Sequence, residues 1–147
     1  MGEKVYPARM HSLEHILNGT MNRMFGCGRA FSSHVESKKS KCDYRFDRDL
    51  TPDEVAELTR RINETAARCL PITEEMMPRE LAAEKFSLAR LPEDAGNTLR
   101  IVHVGDYDSC PCIGEHASNT SELDPIRIVS TDHADGVLRV RFKFDRP

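Results

Sequence analysis

The chain has 147 residues, 39% of them hydrophobic and 31% charged, proportions that suit one globular domain (residues 1–147) with a core of its own. A net charge of -3 argues against a surface built chiefly for nucleic acid, although a basic face can sit on an acidic protein. No apolar run approaches the roughly 18 residues of a membrane span and the first residues carry no apolar signal core, so a cytoplasmic protein is expected.

Residues 10–25 read as a helix, with Met10, Leu13, Leu17, Met21 and Met24 recurring at steps of three or four, and Gly26 and Gly28 ending it. Residues 29–47 read as a hairpin, Ala30 to Glu36 and Cys42 to Phe46 flanking the polar turn E-S-K-K-S. T-P-D-E at Thr51 is a capping box with proline at the first helical position. The helix that follows takes its apolar face from Val55, Leu58, Ile62 and Leu70 and should end at Pro71. A strand over 72–77, a short helix from Pro78 to about Phe86, and strands over 99–104, 126–130 and 137–144 complete the reading.

In the last strand Leu138, Val140, Phe142 and Phe144 fall on one face and Arg139, Arg141 and Lys143 on the other. The first face is core. The second is a solvated sheet face or a set of phosphate contacts. Lys38, Lys39 and Lys41 on the hairpin turn carry the same two readings.

His11 and His15 stand four residues apart on a predicted helix, so both imidazoles point the same way, one turn apart. Cys112 and His116, in C-P-C-I-G-E-H, form a second pair, expected on a loop after a turn at G-D-Y-D. Either pair alone occurs by chance. Together they offer the nitrogen and sulfur donors of one tetrahedral zinc site. Four protein ligands is the count of a closed structural site, whereas a catalytic zinc usually keeps one position open. The odd cysteine count fits free or metal-bound thiols in a reducing compartment. Cys110 is either a spare thiol beside the metal or a small buried residue. Cys27, Cys42 and Cys69 read as packing residues.

H-S-L-E-H-I-L, M-P-R-E-L-A, V-G-D-Y-D and C-I-G-E-H-A-S-N-T-S-E-L, in that order, resemble the AlaX family, relatives of the editing domain of alanyl-tRNA synthetase and of the second additional domain of threonyl-tRNA synthetase. Cys112, Gly114, His116, Asn119, Thr120 and Glu122 match the family's downstream motif. The chain departs from it at Cys110, Glu115, Ser121 and Asp124. The resemblance implies an α+β fold with a mainly antiparallel sheet and packed helices, one zinc per chain in a cleft, and a short form without an accessory N-terminal domain. It also implies removal of a wrongly attached amino acid, serine or glycine, from alanine tRNA, with the lysine and arginine groups named above meeting the acceptor stem.

Zinc can lower the pKa of bound water to about 7 and polarise an ester carbonyl, so hydrolysis would need no protein nucleophile. Glu14 and Glu115 adjoin ligands and offer themselves as bases, although Glu14 lies about 100° from His15 on a helix and its default place is solvent. Ser33 and His34, on a strand, are further pocket residues. Two other readings stand beside this one. H-S-L-E-H also fits the H-x-x-E-H pattern of inverted-type zinc peptidases. Alternatively the zinc is structural and the domain only binds a tRNA end.

Overall fold

The computed structural model describes residues 8–36, 38–86, 88, 96–112 and 114–145. The elements run α1 (Ala8–Phe25), β1 (Ser32–His34), β2 (Ser40–Arg45), α2 (Pro52–Ala67), β3 (Ile72–Pro78), α3 (Arg79–Lys85), β4 (Thr98–Val104), β5 (Asp108–Pro111), β6 (Ile126–Ala134) and β7 (Val137–Phe144). They form a four-stranded sheet in the order β1-β2-β7-β6 and a three-stranded sheet in the order β3-β4-β5, every pairing antiparallel. This is the expected α+β class.

Helix α1 lies at the centre and is buried from Met10 through Met21 without interruption. Leu13, Ile16, Leu17 and Met21 join Cys42, Tyr44, Leu138, Val140 and Phe142 from the inner face of the larger sheet, together with Leu58 and Ile62 of α2. The alternation of β7 sends Leu138, Val140 and Phe142 inward. A second small core, Met77, Ala82, Leu99 and Ile101, joins α3 to β3 and β4. Gly26, at φ +64°, stops α1 in the left-handed conformation that glycine adopts without strain.

The capping box is present as read. Thr51 accepts from the Glu54 amide at 3.1 Å, and Glu54 returns a bond to the Thr51 amide at 2.9 Å. The far end of α2 differs from the reading. The helix stops at Ala67, Cys69 turns left-handed at φ 56°, and Leu70 lies in the connection with its amide on Thr120 Oγ1. Cys69 is exposed at this turn and is not a packing residue, while Cys42 is fully buried.

Two further differences matter for the site. The segment after β4 is not a loop but the return strand β5, reached through a tight turn with Gly105 at φ +51° and Tyr107 N–H bonded to Val104 O. In addition, β6 runs on to Ala134 and turns at Asp135–Gly136 into β7. Ser37, in the expected hairpin turn, lies outside the described residues.

Thr51→Ala removes the acceptor for the Glu54 amide. The expected cost is about 1 kcal/mol of stability, read as a lower urea midpoint with an unchanged slope.

Candidate metal centre

The site forms where α1 faces the end of β5 and the loop behind it. His11 and His15 share one face of α1, and their ring centroids stand 5.3 Å apart. The His116 ring stacks on His11 at 4.5 Å and meets His15 edge-on at 4.7 Å. His116 Nε2 lies 2.8 Å from His15 Nε2, and Cys112 Sγ lies 3.3 Å from His11 Nε2. Donor atoms of His11, His15, Cys112 and His116 all fall within 4.8 Å of one another. The four predicted ligands are therefore brought together from three segments.

Three sets of bonds hold these segments in place. Ser12, between the two histidines, accepts the Ala117 amide at 2.8 Å, and His11 Nδ1 donates to Glu115 O at 3.2 Å. Both pin the His116 loop to α1. Arg100 donates to Cys112 O at 3.0 Å and to Gly114 O, fixing the other end of that loop. The N-T-S-E segment serves the same end: Thr120 accepts from Leu70 N–H, Asn119 caps the short 3-10 turn at Thr120–Glu122, and Glu122 accepts from both the amide and the hydroxyl of Ser118. These motif residues are structural ties.

Asp108 was not anticipated from the sequence, nor was Arg29. Asp108 Oδ2 accepts from His15 Nδ1 at 3.1 Å, and Arg29 grips the same carboxylate through two bonds of 2.6 and 3.1 Å. Burial works against the Asp108 charge, but the His15 bond and the Arg29 guanidinium hold its carboxyl below the usual range. Asp108 in turn raises His15 against the pull of burial. A carboxylate on the remote nitrogen of a histidine is the arrangement that orients metal-binding imidazoles. The signal was present in the sequence: Asp108, Cys110 and Cys112 alternate at period two, as side chains on one face of a strand do.

Cys110 is buried with its Sγ 3.3 Å from His15 Nδ1, on the side of His15 away from the four-donor cluster, where it groups with Asp108. Glu115 presents its carbonyl to the site while its residue is exposed. His34 is not brought to the site. It faces outward from β1, largely exposed, and pairs with Glu36. Its neighbour Ser33 faces inward and donates to Glu14 Oε2 at 2.6 Å. Glu14 departs from its expected place in solvent: it is 5% exposed, with Oε1 3.4 Å from His11 Nε2. The angle that matters is the one from His11, three residues back and on the same face of the helix.

The donor set fits zinc. With Zn–N near 2.0–2.1 Å and Zn–S near 2.3 Å, tetrahedral donors stand roughly 3.3–3.7 Å apart, a spacing the four atoms approach without backbone change. Two remote nitrogens are already committed as donors, which leaves Nε2 of His11 and His15 for the centre. Burial opposes the Cys112 thiolate, yet hydrogen bonds from His11, His116 and His15 bring the thiol down to about 3. His11 Nε2 faces the Cys112 sulfur and the Glu14 carboxylate, an arrangement that calls for a cation among them.

Residues 99–141, which include Cys112 and His116, match the family described as threonyl and alanyl tRNA synthetase second additional domain. The chain is 31% identical over 140 residues to an alanine–tRNA ligase of Bdellovibrio bacteriovorus, a match that takes in 94% of this chain and 15% of the relative. It is an AlaX-like relative of the synthetase second additional domain. Alanine–tRNA ligases of Coxiella burnetii and Methanococcus maripaludis are 33% and 30% identical over 90% and 91% of the AlaX-like chain, each match covering 16% of the ligase. The chain thus spans about one sixth of the length of the curated relatives it matches. A match over 94% of 147 residues necessarily includes both His11 and His116.

One equivalent of zinc should bind per AlaX-like chain. Because His15 is held above the ordinary imidazole value of about 6.5, protons compete for it through the neutral range, so affinity should rise with pH there. Cys112, at about 3, adds no competition in that window. Asp108→Asn should weaken binding about 10–100-fold and flatten the pH dependence, measured against a chromophoric chelator.

Proposed function

We propose that this chain is a zinc-dependent deacylase acting in trans, which hydrolyses the ester between alanine tRNA and a wrongly attached serine or glycine. The observation that carries the reading is the convergence of His11, His15, Cys112 and His116 in a chain homologous to alanine–tRNA ligases. A zinc ion held there supplies a Lewis acid beside an ester carbonyl. The protein residues position it: Asp108 and the Glu115 carbonyl fix the two α1 imidazoles, and Arg29 keeps Asp108 ionised. Cys112 and His116 are only partly buried, so the substrate end enters from their side. The peptidase reading is disfavoured because Cys112 and His116 stand where it requires an acidic ligand. The binding-module reading draws on the four-donor count, which is that of a closed site.

For the tRNA, the two basic groups behave differently. Arg139 is taken up by Asp43 through bonds of 2.8 and 2.9 Å, and Arg141 pairs with Asp132. Lys41 and Lys143 are half-buried on the same sheet face, Lys41 opposite Arg141. Lys38 and Lys39 are exposed at the hairpin turn and are the better placed phosphate contacts.

Zinc-loaded protein should release serine from seryl-tRNA charged on alanine tRNA, while folded His15→Ala should fall to background. Release by neither, with glycyl-tRNA also untouched, would favour the binding module. Replacing Lys38 and Lys39 with alanine should raise KM and reduce the salt slope by about one per lysine. Arg139→Ala should instead lower the melting temperature.

A further inference from the structure

An aminoacyl ester differs from an ordinary ester by an ammonium group on the carbon next to the carbonyl. A site that holds the carbonyl beside a metal must also receive that cation. Zinc with one thiolate leaves a net positive centre, which repels an ammonium a few ångströms away. A carboxylate on the wall of the donor cluster removes the conflict.

Two buried carboxylates adjoin the cluster. Asp108 stands behind His15, on its Nδ1 side, and its charge is taken by Arg29 in two bonds. Glu14 stands on the other side of the cluster, 3.4 Å from the nitrogen that His11 turns toward the centre. Its carboxylate is not among the four donors that lie within 4.8 Å of one another, so it flanks the metal position rather than completing it. Ser33 donates to Oε2 at 2.6 Å and fixes the carboxylate plane, and an ionised carboxylate retains further acceptor positions beyond that bond. Low exposure makes a charge pair at this point strong.

We infer that Glu14, oriented by Ser33, binds the α-ammonium of the aminoacyl group and so selects amino-acid esters over simple acyl esters. The inference rests on the deacylase reading above. The group recognised is a primary ammonium, common to serine and glycine. Glu14 therefore sets the class of substrate and not which amino acid is removed.

The test is binding by the zinc-loaded protein of two stable adenosine amides: 3′-deoxy-3′-(L-serylamino)adenosine, and its counterpart with 3-hydroxypropanoyl in place of seryl, which lacks only the ammonium. The wild type should bind the seryl amide about tenfold or more tightly. Glu14→Gln should bind the two equally, with zinc affinity and melting temperature unchanged, and Glu14→Asp should recover part of the preference. Equal binding of the two amides by the wild type overturns the inference without needing any variant, and so does a preference that survives in Glu14→Gln. Loss of zinc in Glu14→Gln would assign the carboxylate to the metal and overturn it too. Binding of neither amide by the wild type would overturn the deacylase reading itself, and the inference with it.

Discussion

Helix α1 is buried on every side over Met10–Met21, yet that stretch carries His11, Ser12, Glu14, His15, Asn18 and Thr20. A buried polar group left without a partner costs about 1–3 kcal/mol, so each of these must be met by whatever packs against the helix. Thr20 bonds Ile16 O and the Tyr107 hydroxyl; Asn18 Oδ1 accepts from Ala30 N–H and the Tyr44 hydroxyl; Ser12 takes the Ala117 amide. The demands of one helix thus dictate how the larger sheet, strand β5 and the His116 loop are placed around it. The metal centre is where that same demand is met by Cys112 and His116.

Two carboxylates border the cluster, and their surroundings give them different work. Asp108 sits between an imidazole and a guanidinium, an environment that keeps it ionised and spends it on orientation. Glu14 has a hydroxyl behind it and the donor cluster in front. The division follows from geometry: Asp108 arrives on β5 behind His15, whereas Glu14 rises from α1 beside His11.

Charge on the larger sheet shows a similar sorting. Opposite Arg139 and Arg141 the register places Asp43 and Lys41 of β2, and Asp132 of β6 faces Arg139 across the other edge of β7. The arginines of β7 are accordingly drawn into pairs with Asp43 and Asp132, while the turn lysines, with no strand beside them, stay exposed.

Much of this was legible in the linear chain. Period-two alternation fixed the inward face of β7, T-P-D-E fixed the start of α2, and the spacing of His11 with His15 fixed half of the ligand set, because each depends only on contacts within a turn or a strand. The end of α2 was not legible, since Cys69 adopts a left-handed conformation that its residue type does not announce. Strand β5 was half legible: Asp108, Cys110 and Cys112 alternate, but G-D-Y-D draws the eye to a turn alone. What only the tertiary structure decided is which neighbours meet. Ser33 faces the site and His34 does not because β1 pairs with β2 in one register. Glu14 is buried because α1 is enclosed on every side. Asp108 meets His15, 93 residues away, because β5 packs on α1. Such pairings depend on how separate elements are brought together, and no local pattern of residues encodes them.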